Sequence, residues 1–406
     1  MIVPVIRMRR RDVDEAHRAS TPLELLFDLT FVAAVASVVT ELANGVEANH
    51  VPAAITNFLM VFFAIWWAWL TFTWFASAYD TDDVPYRLTT MLQMGGVLVL
   101  AAGVPSAFQE GNFLLVTVGY FIMRVALVAQ WLRAAKQDRD GRATALRYAV
   151  GIGFVQALWI TRLFIAEGLP LPAHISVFAV LAIGEMCVPW WAERRGSLTW
   201  HPHHIAERYG LFAIIILGES VLAATVAVQA TLTEGDGSGE FVLLATSGLA
   251  LLFGLWWVYY LEPAGEGLQR KRERSFVWGY GHYFVFAALA ALGAGLEVSV
   301  IAAGRDSEVD LVTAGYAVAV PVAVFLLAMQ AAYVPLLGSR TVIRPTVSLA
   351  GAAIVLTIPL LAHALSLAVV VMLVATVIAT IVTITVLQQR QKDIASTGPS
   401  ASTLSI

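Results

Sequence analysis

The sequence predicts an all-α polytopic membrane protein of about twelve transmembrane helices, arranged as two parallel six-helix repeats. Three observations predict it. The 406 residues are 59% hydrophobic and only 13% charged, with a mean hydropathy of +0.75, far from the composition of a soluble domain. Apolar runs recur along nearly the whole chain, each close to the roughly 20 helical residues that cross a hydrocarbon core of about 30 Å. The two halves also share polar and aromatic motifs at an offset that drifts from 183 to 196 residues, as loop insertions produce.

Residues 1–20 form a basic segment, expected to be cytoplasmic, with five arginines in its first 18 positions. It lacks a short apolar stretch ending in a small-residue cleavage site, so no removable signal peptide is expected. Apolar runs bounded by polar breaks then place spans at 22–42, 52–78, 87–108, 112–133, 144–165, 172–192, 204–230, 240–261, 276–303, 309–333, 343–363 and 365–387. Only His363 and Ala364 separate the last two. Thr21-Pro22-Leu23-Glu24 opens the first span as a capping box, and Asp82 or Asp83 before Val84-Pro85 starts the third. Residues 21–195 and 196–389 make up the two repeats, and 390–406 are expected to be a disordered cytoplasmic tail.

Lysine and arginine orient the chain. With the N-terminus inside, inner segments hold 22 of the 25 basic residues, while Arg162 and Arg305 lie toward the outside and Arg124 falls within a span. That bias predicts a multi-pass protein of the cytoplasmic (inner) membrane with both termini cytoplasmic. It also explains the basic loop Gln-Arg-Lys-Arg-Glu-Arg (269–274) without nucleic acid. The repeat rests on three matches: the starts of spans 1 and 7, Trp-rich stretches at 66–74 and 256–260, and Gly-Tyr pairs at Gly119-Tyr120 and Gly315-Tyr316.

An ionisable side chain inside hydrocarbon costs several kcal/mol unless paired or wetted, so each one in a span is a candidate for an ion or substrate path. Glu24 has a local role in the capping box. Asp28, one turn deeper among Phe27, Leu29 and Phe31, has none. Glu219 lies roughly 22 Å along span 7, beyond any cap, between the small residues Gly218 and Ser220. It is expected to pair with Arg124 or His282 in a polar interior that also takes in Glu185, Gln156 and Gln93. A purely structural ion pair that fixes helix register is the competing reading. His282 is equally explained by a bond to a carbonyl on a neighbouring helix. Trp66, Trp67, Trp256 and Trp257 sit mid-span, where packing or a substrate path accounts for them. Ala287, Ala291 and Gly295 form a small-residue seam for close helix contact.

In His-Pro-His-His (201–204) the helical spacing of metal ligands is met only by His203 or His204 with Glu207, too few for an expected site, and Cys187, as the sole cysteine, excludes an intramolecular disulfide or a cysteine-based zinc cluster. No metal and no cofactor are expected. Walker, dinucleotide, His-Glu-x-x-His and Gly-x-Ser-x-Gly motifs are absent from the sequence.

At Pro-Leu-Glu-Leu-Leu-Phe-Asp-Leu-Thr-Phe-Val-Ala-Ala-Val (22–35), Glu-Arg-Tyr-Gly-Leu-Phe-Ala-Ile-Ile-Ile-Leu-Gly-Glu-Ser-Val-Leu (207–222) and 281–295, the sequence resembles the bacterial low-temperature-requirement A family of integral membrane proteins. The likeness extends over roughly residues 20 to 390. It implies architecture and supplies no substrate, reaction or cofactor. The positions it carries over as candidates are Glu24, Asp28, Glu207, Arg208, Gly218, Glu219 and Ser220. Span 9 departs from the expected polar start, having one histidine and no acid near it.

These features predict a secondary, proton- or ion-coupled transporter of unnamed substrate, with membrane lipid and a small solute or proton as partners. Loop 2–3, Tyr-Asp-Thr-Asp-Asp-Val-Pro-Tyr-Arg, lacks the signature of the major facilitator superfamily. The alternatives are a membrane-embedded enzyme acting on a lipid or isoprenoid through Glu24, Asp28, Glu207 and His282, and a non-catalytic membrane component that supports growth in the cold.

Overall fold

A computed structural model of the chain describes residues 5–12, 15, 18–165, 169–233, 239–304, 308–338 and 341–397. Among the described residues the only regular structure is helical, and the chain groups into two compact units, Met1–Glu219 and Ser220–Ile406. The first contains α1 (Pro22–Glu47), α2 (Val51–Tyr79), α3 (Val84–Ala102), α4 (Val104–Gln109), α5 (Leu114–Gln137), α6 (Arg142–Ile165), α7 (Leu171–Ala192) and the start of α8 (Pro202–Thr233). The second contains the remainder of α8, then α9 (Gly239–Tyr260), α10 (Ala264–Arg270), α11 (Ser275–Ala303), α12 (Leu311–Leu337), α13 (Pro345–Thr357) and α14 (Leu367–Thr397).

Every run predicted to span meets a helix, but only nine helical stretches among the described residues are long and apolar enough to cross a membrane. Outside that group are α3, α13 and the short α4. α3 carries Arg87, Thr89, Thr90 and Gln93 within 19 residues. The run at 87–108 is not one helix. It stops at Gly103, and Pro105, which has no N–H to extend the ladder, starts the separate α4. Pro359 likewise ends α13 in a 3₁₀ turn, Ile358–Leu361. At the other extreme α14 continues to Thr397, past the expected start of the tail at 390; residues 398–406 lie outside the described residues.

The local signals act as their chemistry dictates. Thr21 Oγ1 accepts the Glu24 amide at 3.3 Å while Glu24 Oε2 accepts the Thr21 amide at 2.8 Å, closing the capping box of α1. Asp83 caps α3 through the Tyr86 amide at 3.1 Å. α2 turns Trp66, Trp67 and Trp69 inward, and Phe63 stacks on Trp67 with ring centres 5.9 Å apart. Trp256 and Trp257 of α9 remain about half-exposed, at 45% and 50%. Small residues set the tightest crossings. A Cβ built on Gly119 of α5 would collide with the backbone of Leu100 on α3, and one on Gly295 of α11 with the Ala317 carbonyl on α12.

One end of the first unit is laced together by the N-terminal segment. The Ile6 amide donates to Asp83 at 2.9 Å, the Met8 amide to Gln137 Oε1 at 2.7 Å, and the Arg11 amide to the Ala78 carbonyl at 3.0 Å. Asp80, just beyond α2, lies 3.5 Å from Arg11 and 4.0 Å from Arg18, and its Oδ1 is buried with no hydrogen-bond partner. Burial, helped by repulsion from Glu24, pushes its pKa up from 3.8 to about 6 in spite of Arg18 and Arg11. The folded chain therefore holds a proton that the unfolded chain releases near pH 4, so stability falls as pH rises from about 4 to about 6 and then levels off. Asp80→Asn, which copies the neutral acid, is expected to raise stability at pH 7.5 by up to about 3 kcal/mol and to change little at pH 4.5. Thermal melts in detergent at the two pH values check this; a variant that melts below wild type at pH 7.5 refutes it.

Candidate functional site

Glu24 and Asp28 share one face of α1 because residues four apart stack along a helix. His204 and Arg208 repeat that spacing on α8, and each meets the acid 180 positions before it. Arg208 Nε donates to Asp28 Oδ2 at 3.0 Å and its Nη2 donates to Oδ1, a bidentate pair that fixes both side chains. Trp69 Nε1 adds a 2.7 Å bond to Oδ1, and Arg208 Nη2 also reaches Thr73 Oγ1 at 3.4 Å. All four ionisable groups are buried.

Glu24 is held differently. Its Oε1 lies 3.0 Å from Arg208 Nη1, 3.1 Å from His204 Nε2 and 3.8 Å from Arg18 Nη2, yet accepts no aligned hydrogen bond from any of them. The other side of the His204 ring, Nδ1, is 3.2 Å from Ser77 Oγ. Arg18 donates to the carbonyls of Ser77 and Ala76, the C-terminal end of α2, where the helix dipole is negative. Burial lowers the Arg18 pKa against the pull of Glu24. His201, at the entrance of α8, contacts the Glu15 carbonyl through Nε2, and burial lowers its pKa as well. Within this cluster two arginines, Arg18 and Arg208, face the three carboxylates Glu24, Asp28 and Asp80; Arg11 has its own partner in Glu15. One proton, on His204 or on an acid, balances the charge.

The other predicted residues separate. Glu207 points away from the cluster, exposed, and accepts the Ser20 amide at 3.3 Å. It does not join Glu24 and Asp28 as the enzyme alternative requires. Arg124 does not pair with Glu219: its partner is Glu185, at 3.6 Å, with further bonds to Thr71 Oγ1 at 2.6 Å and to Tyr120 Oη. Trp159 Nε1 also donates to Glu185, at 3.2 Å, so this is a second, separate buried ion pair. Gln93 bonds Gln130 at 3.0 Å rather than any charge. Glu219 is the half-buried last residue of the first unit. A Cβ on Gly218 would meet nothing within 4 Å, and Ser220 is buried. In the second unit His282 Nδ1 contacts the Trp278 carbonyl of its own helix at 2.7 Å, one turn back and not on a neighbour. Among the described residues no group of three or more His, Cys, Asp or Glu is arranged to hold a metal.

Sequence reasoning missed His204, Arg18 and Trp69. The signal for His204 was present: His204-x-x-x-Arg208 opens α8 with the same spacing as Glu24-x-x-x-Asp28 in α1. The offset of 183 between the starts of spans 1 and 7 sets Glu24 against Glu207 instead, three residues out of step with this match.

Comparison with known proteins follows the same boundaries. The family model described as bacterial low temperature requirement A protein matches residues 19–384, from just ahead of the capping box to within α14. The uncharacterized protein RA0937 of Rhizobium meliloti (strain 1021) is 27% identical over 309 residues, an alignment that covers 72% of each chain.

Proposed function

Because the chain belongs to the bacterial low temperature requirement A family, whose description names no reaction, we propose from its own site that it is a secondary transporter coupled to protons through Glu24 and His204. Glu24 carries the reading: a buried carboxylate, 3.1 Å from a buried imidazole and not locked by aligned bonds on Oε1, is placed to exchange a proton. Asp28 is the anchor. Its carboxylate is fully engaged by Arg208 and Trp69, so neutralising it sacrifices more bonds than neutralising Glu24. A proton on Glu24 removes its attraction for Arg208 Nη1 and frees the start of α8 to shift against α1. Charge balance favours one proton in the cluster, as a coupling site needs.

Placement in the cytoplasmic membrane with both termini inside is part of the same proposal, supported by the basic residues on one side. Twelve crossings in two parallel repeats are supported by a helix at every predicted run. They are supported also by tight small-residue crossings between the third and fourth runs of each half, at Gly119 and at Gly295.

Reconstitution into liposomes containing a pH-sensitive dye tests the function. Across a panel of ions and small solutes, wild type is expected to couple solute entry to proton movement, and Glu24→Gln and His204→Gln to lose it by about tenfold or more. A wild-type protein that moves no protons with any solute, or a folded Glu24→Gln variant at the wild-type rate, defeats the reading.

A further inference from the structure

The end of α7 carries two tryptophans in a row, and an arginine lies over each. The Arg194 guanidinium stacks on Trp190 with Cζ 3.8 Å from the ring centre, and Arg147 of α6 reaches over Trp191 at 5.4 Å. Both indoles are exposed, at the end of a span, where a helix meets the lipid headgroups. Positive-inside bias explains why arginines gather on this side of the chain, but not why two of them are laid over neighbouring rings. Stacking orients a guanidinium and leaves its N–H edge able to donate. Arg147 directs Nη1 to the Trp191 carbonyl at 3.4 Å, which spends one of its five N–H groups.

The acids close by in the chain are turned elsewhere. Glu193, next to Arg194, accepts the Tyr148 hydroxyl at 2.7 Å and the Leu198 amide. Asp138 and Asp140, ahead of α6, face Arg10 at 2.8 and 3.9 Å. The arginines thus define the charge of this end of the two helices.

Further along the helices the surface becomes apolar and indented. Gly151 of α6 draws the pair together, since its Cβ would come within 2.7 Å of Val188 and 3.5 Å of the Trp191 ring. One and two turns along α7 from Trp191 stand Cys187, which is exposed, and Gly184, where a Cβ would meet nothing within 4 Å. Val150 and Phe154 lie exposed on α6, one and two turns beyond Arg147. Small residues on one helix and large apolar ones on the other leave a shallow groove below the indole.

We propose that this end of α6 and α7 is a binding site for an anionic phospholipid, whose headgroup meets Arg147 and Arg194 while an acyl chain runs past Cys187, Gly184 and Phe154. A cationic rim above an apolar groove matches a charged head above a chain, which a soluble anion lacks. Under the orientation proposed above the lipid belongs to the cytoplasmic leaflet, but the binding does not depend on that choice.

Native mass spectrometry of the full chain in non-ionic detergent, titrated with dioleoylphosphatidylglycerol or dioleoylphosphatidylcholine, tests this. The first phosphatidylglycerol is expected to bind tighter than the first phosphatidylcholine by about tenfold or more, since each arginine near a membrane surface contributes about fivefold toward an anionic lipid. Arg147→Gln and Arg194→Gln are each expected to weaken that first site by about fivefold. Arg270→Gln combined with Arg274→Gln removes two positive charges from the second unit, and is expected to leave the first site within about twofold of wild type.

Equal affinity of wild type for the first molecule of either lipid overturns the proposal, and that measurement needs no variant to fold. Unchanged binding by folded Arg147→Gln and Arg194→Gln variants overturns it too, as does an equal loss in the Arg270→Gln, Arg274→Gln variant, which would reduce the effect to general charge attraction. Displacement of the lipid by about 10 mM inorganic phosphate would mark a site for a soluble anion and would likewise overturn it. Binding is read at equilibrium, so the outcome does not depend on the proton-coupled exchange proposed above.

Discussion

Arg208→Ala is expected to be the most damaging single substitution in the chain, lowering stability by about 3–5 kcal/mol, because it leaves two buried carboxylates without their guanidinium. Asp28 would keep only Trp69, and Glu24 would keep His204 and the more distant Arg18. The cost comes from the stranded charge more than from the lost attraction, which a second variant can separate. Arg208→Met combined with Asp28→Leu removes both ends of the bidentate pair and fills similar space with apolar groups, so it is expected to recover much of the loss. Thermal melts in one detergent, arranged as a double-mutant cycle, measure the coupling directly. Single and double variants that melt alike would show that the pair contributes nothing beyond its separate side chains.

Gly295→Val comes next in expected size. Its Cβ would strike the Ala317 carbonyl, a backbone atom with no rotamer to turn aside, so α11 and α12 would have to separate along their tightest contact. A cost of about 1–3 kcal/mol or more follows from overpacking. Gly119→Val in the first unit should behave in the same way, since its Cβ would meet the Leu100 backbone. Gly218→Ala is the control. Nothing lies within 4 Å of its Cβ, and alanine has the higher helix propensity by roughly 0.8–1.0 kcal/mol, so stability should hold or rise. Melting temperatures that fall equally in all three would indicate a general intolerance of substitution rather than these contacts.

How much of this was legible beforehand depends on the range of the interaction. The capping box at Thr21 and Glu24 and the cap at Asp83 are contained within a few residues, and the sequence announces them. The seam ending at Gly295 was visible as spacing, although not its partner Ala317. Asp28 was recognisable as an acid in need of a partner because no local bond could satisfy it. That partner, Arg208, lies 180 residues away, and depth along a helix allows many candidates where contact allows one. The same limit misassigned Arg124, whose depth matched Glu219 but whose neighbour is Glu185. Helix ends failed where a proline decided them, as at Pro105 and Pro359, since hydropathy counts side chains while proline acts through the missing N–H.

The bond between Asp28 and Arg208 also imposes an order of events during synthesis. Chains grow at about 5–20 residues per second, so roughly 10–40 s separate the appearance of the acid from that of its cation. Throughout that interval the first helix carries two carboxylates with no arginine from α8 to neutralise them. Trp69, only 41 residues on, can reach Asp28 well before Arg208 exists. The indole thus serves as an early companion for the acid, and the ribosome must deliver α8 before the first helix can settle into its final place.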